Sequence, residues 1–439
     1  MIIDTEKLPE LYSADVVVCG AGPGGIGAAC MAAAAGAEVV VIEYADRPGG
    51  MASVGEVNPF MVSAIGGEMM DFPVYDRWVK AIYKYYNRSS QQKIDEAAGT
   101  AYARRTFTAA QAALGAEDLL KSAGVKVFYQ HTLTAVNMDG DKIASVVVHS
   151  KSGFSLVRGK MFVDCTGDAD LAALAGCAFE KGDETGGCQP MSVCFKLGNV
   201  HLPEGVENVR DLKFEQEYFI KKHSEACAKG EISCCRENLL TFPMIDPHTV
   251  HFNTTRVIEH DATDGASRSE AGEIGREQMR EYLFWLRKNV PGFEEAELVS
   301  FGGIGVRESR RVKGMYYLQA DELAGGKCFD DGIARCNYPV DIHNPHGKGT
   351  ILRHLKPGEF YEVPYGCIVP QTVDNLTIGG RPISADVAVH SSLRIMPTAC
   401  SIGQGAGIAA AMAIQKNCIP RQLDGREVRA ALVKMGANL

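Results

Sequence analysis

The alternation of apolar and polar stretches divides this chain into strand-length runs separated by longer helical stretches. Asp15-Val16-Val17-Val18-Cys19 is followed by an alanine-rich stretch over 26–35 and then by Glu38-Val39-Val40-Val41-Ile42-Glu43. Short apolar runs bounded by turn residues predict strands covered on both faces, and strand, helix and strand in this order predict a βαβ unit. A helical excursion over 76–88 and about 107–123 comes next, then strands at Val125-Lys126-Val127-Phe128-Tyr129 and Met161-Phe162-Val163. Further on, strands are predicted at 191–197 and 249–257, with one long helix over 267–289. Ile274, Met279, Leu283, Leu286 and Val290 fall near one face of that helix, and Pro291-Gly292 stops it. In 249–256, Val250 and Phe252 alternate with His251, Asn253 and Thr255. Whether that polar side faces a ligand or water stays open.

Between the first strand and its helix lies Gly20-Ala21-Gly22-Pro23-Gly24-Gly25. Gly20 permits the sharp exit from the strand, Gly22 lets the backbone approach a pyrophosphate, and Gly25 lets the helix lie close on the sheet. The helix N-terminus then offers free amides and a partial positive charge to an anion. Glu43 ends the second strand, where its carboxylate can accept hydrogen bonds from both ribose hydroxyls. The whole constellation predicts a pocket for an adenine dinucleotide.

After Glu43 the chain continues through Tyr44 to a second glycine pair, Gly49-Gly50-Met51. Here the sequence resembles the FAD domain of the glutathione-reductase-like flavoproteins. The resemblance extends to Thr166-Gly167-Asp168, to Gly380-Arg381 after the run 374–379, and to Gly403-Gln404-Gly405. It implies that these segments contact FAD, that Leu133 meets the adenine through its backbone, and that a helix starting at Gly403 points at the pyrimidine edge of the flavin. The blocks 305–314, 337–343, 363–365 and 391–398 are similar to segments of a broad group of bacterial FAD-dependent oxidoreductases. The implied fold is α/β: a discontinuous Rossmann-like FAD-binding domain with a parallel sheet, built from 1–180 and 366–439, and a β-rich α+β substrate domain over 181–365.

At 439 residues, 46% hydrophobic and 23% charged, the chain has room for two globular units. A formal net charge of −9 argues against a nucleic-acid or anionic-membrane surface. Met1 to Ser13 is short and charged for a signal peptide, and the apolar stretch 26–35 is shorter than the roughly 20 residues a membrane span needs. A cytoplasmic location is expected. None of the fourteen cysteines forms a Cys-x-x-Cys pair, so neither a metal centre nor a disulfide-reductase dithiol is expected. No second glycine fingerprint for a nicotinamide cofactor follows; Gly302-Gly303-Ile304-Gly305 lacks the strand-to-acid context.

A flavin performs the redox step, so the protein must orient the substrate, balance its charge and move a proton. Arg307 and Arg310, around Glu308, suit the forked binding of a carboxylate and equally suit an interdomain ion-pair network. His343, two residues after Asp341 in what reads as a loop, is a candidate for proton transfer or a loop histidine held by its own hydrogen bonds. His390 and Arg394 carry the same two readings, and Tyr365 suits either a phenolic hydrogen bond to the substrate or interdomain packing. The expectation is hydride transfer between FAD and a small polar substrate, an acidic one being the case the arginines fit. The alternative is an electron-transfer subunit working with a redox partner protein. The electron donor or acceptor stays undefined, and a homo-oligomer stays open.

Overall fold

In the computed structural model of this chain, residues 4–91, 106–323 and 325–439 are described. The larger sheet has seven strands: β1 (Glu10–Cys19), β2 (Val39–Ile42), β3 (Lys126–Phe128), β4 (Thr132–Asp139), β5 (Lys142–Ser150), β6 (Gly153–Asp164) and β7 (Leu376–Ile378). Their order is β3-β2-β1-β6-β5-β4, with β7 also paired to β6. β1 runs parallel to β2, with Val16 beside Val39, and parallel to β6, with Val16 beside Met161. Val16, Val17 and Val18 are fully buried, which explains an apolar run without alternation.

β6 serves two neighbours along one edge. Its first half pairs antiparallel with β5, and Phe162–Asp164 pairs parallel with β7. Gly140 and Gly153, both at positive φ, make the two tight turns of the β4-β5-β6 meander. As a result the C-terminal ends of β1, β2, β6 and β7 share one rim of the sheet, where open α/β sheets hold their ligands.

Helix α1 (Pro23–Ala34) packs on the sheet, α3 (Ala109–Ser122) lies beside its β3 edge, and α2 (Val74–Tyr83) packs on α3 and α1. A later helix, α4 (Gly265–Asn289), belongs to a second body. That body holds a four-stranded antiparallel sheet in the order Thr241–Pro243, Val250–Phe252, Phe195–Gly198, Glu297–Phe301. Phe195 and Phe252 stack at 4.8 Å between ring centroids, and Tyr282 and Trp285 of α4 pack with them. α4 buries Ala271, Gly275, Met279, Tyr282, Trp285 and Leu286. Of the expected stripe Met279, Leu286 and Val290 are buried and Leu283 and Ile274 pack at the core's edge; Tyr282 and Trp285 add to it.

Helix α5 (Met396–Lys416) returns to the first body and lies against α1. The α/β class, the parallel sheet and the second, antiparallel unit are therefore all present. We keep the division 1–180, 181–365 and 366–439 as a proposal about folding units. Val312, Ile333, Tyr361 and Val363 pack in the larger core beside the first and last segments.

Candidate active site

An elongated cavity of about 570 Å³ opens along the rim where β1, β2, β6 and β7 end. Its floor is backbone: Gly20, Gly22, Gly24, Gly50, Gly379 and Gly380 all line it. Gly20 has φ +103° and its amide donates to the Ile42 carbonyl at 2.7 Å, which turns the chain sharply out of β1. A Cβ on Gly24 would lie 2.9 Å from Gly380 Cα, and one on Gly25 would lie 1.8 Å from Gly20 O. These methyls would collide with backbone, so the crossing of α1 over the strand ends requires residues without side chains.

Glu43 stands at one end of the cavity, 4% exposed. Its carboxylate accepts from the amides of Ala21 (2.6 Å) and Ala45 (2.8 Å), so it is fixed in place with lone pairs to spare. Burial raises its pKa, opposed by the amides of Ala45, Ala21 and Tyr44. Tyr44, His131 and Leu133 line the same end. The other end is formed by Met51, Val54 and Gly55, by Gly303, Ile304 and Val306, and by Met396 and Ala399 in the first turn of α5. Cys19 and Cys165 also line the cavity, and burial pushes both thiols well up, so they behave as small apolar side chains.

Midway, Asp168 gathers three elements. Its carboxylate accepts from Arg381 (2.5 Å), Ser309 (2.7 Å) and Arg268 (3.1 Å), and its carbonyl accepts from Arg310 (2.9 Å). Arg310 also pairs with Asp170 at 2.8 Å and lies over the Phe179 ring. Arg268, Arg381, Asp168 and Asp170 line the cavity; Arg310 stands behind them. The turn that presents Asp168 is fixed by Asp164, which accepts from the Thr166 amide and hydroxyl and from the Ala172 amide.

Next to Val306 and Arg394 the character changes to a cluster of cations, Arg236 and Arg256 buried and Arg307 and Arg394 half-buried. Arg307 donates to Pro190 O (2.7 Å) and Ser192 Oγ (2.6 Å), and more weakly to Asn253 Oδ1 (3.5 Å). Its pKa is pushed down to about 9, by burial and then by Arg394 and Arg236. Arg394 reaches Asp341, at 2.9 Å to the carbonyl and 3.6 Å to the carboxylate. Arg256 bonds only neutral acceptors: the carbonyls of Gly347 and Gly349, Thr350 Oγ1, and His343 Nδ1 at 2.9 Å. His343 Nε2 faces Asp341 at 3.5 Å. Since Nδ1 accepts, the proton stands on Nε2 toward Asp341, and burial with the Arg307 charge holds the imidazole well below its usual pKa. On the other side of this cluster Lys196 pairs with Glu56 at 2.5 Å, both buried.

These features fit FAD. The glycine floor admits a pyrophosphate, the fixed Glu43 suits a ribose, and the start of α5 suits the electron-rich edge of a reduced flavin. The sequence model of the FAD dependent oxidoreductase family matches residues 15–432. The chain belongs to that family. As a FAD dependent oxidoreductase it uses FAD as its cofactor. A comparison with curated proteins finds no match. Among solved structures it is similar to a geranylgeranyl bacteriochlorophyll reductase-like protein from Thermoplasma acidophilum. The identity is 13% and the TM-score 0.47, over 97% of this chain and 84% of that one. It is also similar to p-nitrophenol 4-monooxygenase PnpA from Pseudomonas putida DLL-E4 (11%, TM-score 0.46, 97% and 87%). A third is BexE, described for oxidation during BE-7585A biosynthesis (14%, TM-score 0.46), where the match covers 92% of this chain and 63% of that one. None of these likenesses speaks to the substrate of this FAD dependent oxidoreductase.

The structure brings most of the sequence-predicted cofactor residues to this cavity: Gly20, Gly22, Gly24, Glu43, Tyr44, Gly50, Met51, Leu133, Thr166, Gly167, Asp168, Gly380 and Arg381. Gly25 and Gly49 stand just behind the wall, Gly49 donating its amide to Ala21 O at 2.8 Å. Three predicted positions need correction. No helix starts at Gly403; α5 starts at Met396, and Gly403 to Gly405 lie inside it. A Cβ on Gly403 would lie 1.9 Å from Gly24 O, so that glycine marks a helix-to-helix contact. Gln404 bonds the Val74 amide and the Phe72 carbonyl, holding the start of α2.

Among the chemical candidates, Arg394 lines the cavity and Arg307 adjoins it. Arg310 is taken up by Asp168 and Asp170. Tyr365 is not brought to the cavity: its hydroxyl donates to Pro420 O at 2.9 Å. His343 lies on a hairpin strand, Val340–His343, and both ring nitrogens are engaged. His390 is fully buried, and its ring nitrogens have no hydrogen-bond partner among the described residues. The open alternative for the 249–256 strand resolves to neither side, because His251 is as buried as Phe252. Sequence reasoning missed Arg268, Arg236, Arg256 and the Lys196–Glu56 pair. Of these only Arg268, just past the Asp264 helix cap, had a local signal.

Among the described residues no helix is long and apolar enough to cross a membrane, and no group of three or more metal-binding side chains occurs.

Proposed function

We propose that this FAD dependent oxidoreductase transfers a hydride between its flavin and a small anionic organic substrate held on Arg307 and Arg394. The observation that carries this reading is that Arg307, half-buried and next to the cavity-lining Val306, has no carboxylate within ion-pair distance among the described residues and donates only to neutral acceptors. A guanidinium held in this way retains its full charge, and a substrate carboxylate is the group that would neutralise it. Bound FAD supplies a two-electron acceptor or donor.

Oxidation would break one substrate C–H bond, whose electron pair and hydrogen leave together as hydride, while a proton departs to the protein or to water. Arg307 and Arg394 would orient the substrate carboxylate and hold its charge. Asp341 would orient Arg394, and His343 would keep Asp341 in place through its Nε2 proton. Residues 303–306 and Met51 would exclude water from the reacting end. Glu43, Arg268, Arg381 and the glycine turns would hold the cofactor, with the division of labour between the two ends of the cavity as described.

Anaerobic mixing of the purified holoenzyme with a panel of organic acids and their neutral analogues tests this. At least one acid is expected to bleach the oxidised flavin while its amide or ester does not. Bleaching by neutral compounds alone would overturn the reading.

A further inference from the structure

Resting on that reading of the site, we propose that the substrate carries two carboxylates, one taken by Arg394 and Arg307 at the cavity wall and the other by Arg236 behind them. Four guanidinium groups lie together here. Arg307 and Arg236 both donate to Asn253, Arg256 donates to His343, and His343 and Arg394 face the same Asp341 carboxylate; the mutual repulsion that lowers Arg307 and Arg236 agrees with this. Among the described residues, only Asp341 forms an ion pair with any of the four. Glu237 is the next carboxylate, and it accepts from the Gly349 amide instead. The neighbouring acids are already committed: Glu308 to Arg311, and Glu56 to Lys196. One carboxylate among four arginines leaves a surplus of positive charge, partly buried, that a monoanion would only partly neutralise.

Hydrogen bonding points the same way. Arg236 is 9% exposed and, among the described residues, donates only a long 3.4 Å bond to Asn253 O and has no partner for its Nε. Gln189 is 2% exposed; its Oε1 accepts from the His343 amide and its Nε2 has no partner. Both orphans are donors. A ligand rich in acceptor oxygens, with none to donate, completes the set. Arg256, with neutral acceptors on both Nη atoms, acts as a fixed source of field, so Arg236 is the free fork for the second carboxylate.

Calorimetric titration of the holoenzyme with malonate, succinate and glutarate, each paired with its monoamide, tests this. At least one dicarboxylate is expected to bind about tenfold or more tightly than its monoamide. The ratio should collapse toward unity in Arg236→Gln and persist in Arg236→Lys, with FAD content as the control for folding. Equal binding of acid and monoamide across the wild-type series would overturn the inference without recourse to any variant. So would an undiminished ratio in Arg236→Gln. A monocarboxylate that bleaches the flavin, with no dicarboxylate preferred, would leave the proposed function standing and remove only this second contact.

Discussion

Two groups of arginines flank the same cavity, and they differ in what neutralises them. Around Asp168, the guanidiniums of Arg268, Arg310 and Arg381 meet two carboxylates and a carbonyl within 3.1 Å. Around Arg307, four guanidiniums have, among the described residues, one carboxylate within ion-pair distance, that of Asp341 at 3.6 Å. The first group ties β6, the segment after β7 and α4 together, and its charge is satisfied within the chain. The second group is held mostly by neutral acceptors, and it is the one we propose meets the substrate. The sequence block 305–314 contributes Arg310 to the first and Arg307 to the second, so one tetrapeptide contains both of the roles its composition suggested. Arginine clusters are thus sorted by their carboxylates.

Breaking the satisfied group should have the largest effect. Asp168→Ala strands Arg268 and Arg381 without their acceptor, and removing one partner of a buried pair costs about 3–5 kcal/mol. Denaturant unfolding of the holoenzyme reads this directly; a loss below about 1 kcal/mol would mean that the group is not structural. Arg307→Gln should do the reverse. Losing a charge already repelled by Arg394 and Arg236 leaves stability within about 1 kcal/mol, while kcat/KM for the acid that bleaches the flavin falls by roughly 30-fold or more. A variant with low stability and intact kcat/KM would merge the two groups into one.

A third change lies outside both and calibrates them. Glu43→Ala removes the carboxylate expected to accept from the ribose, and charge-assisted bonds of that kind contribute about 1.5–3 kcal/mol each. The Kd for FAD should rise by about tenfold or more with little change in substrate specificity, as read by fluorescence titration of the apoprotein.

The smallest effect concerns pH. His343 is held below its usual pKa by burial and by Arg307. The unfolded chain therefore binds a proton that the folded chain refuses once pH falls below about 6.5. Stability is present above that value and declines as the medium is acidified. His343→Gln should flatten the decline by up to about 1.4 kcal/mol per pH unit. His223, pushed down to about 4 by burial, adds a slope of the same sign that the variant leaves in place. An unchanged profile would show that His343 is protonated in the native cluster.

The parts of the site made of backbone were legible in the sequence, and the parts made of side chains were largely not. Gly20, Gly22 and Gly24 could be read because a close approach of main chain to ligand leaves glycine as the one residue that fits, and Glu43 followed from its distance along the chain. The cluster gave no such signal. Arg236 and Arg256 come from segments that carry no motif, and Lys196 meets Glu56 across 140 residues of chain. Gly403 was misread because a glycine-rich run at a helix is the same text whether it marks the helix start or a crossing with another helix. The proline that does mark the start is Pro397. His343 failed for a different reason: periodicity cannot tell a hairpin strand from a loop when both follow Tyr338-Pro339.

The adjacency of β6 and β7 sets a timetable for the newly made chain. Thr377 pairs beside Val163, and Gly403 presses on Gly24, so the nucleotide cradle has no far wall until residues past 400 have been synthesised. During most of translation the first βαβ unit waits with its glycine turn half built. Cofactor capture is therefore one of the last events in making this protein, and a ribosome stalled before residue 376 would carry a chain unable to retain its flavin.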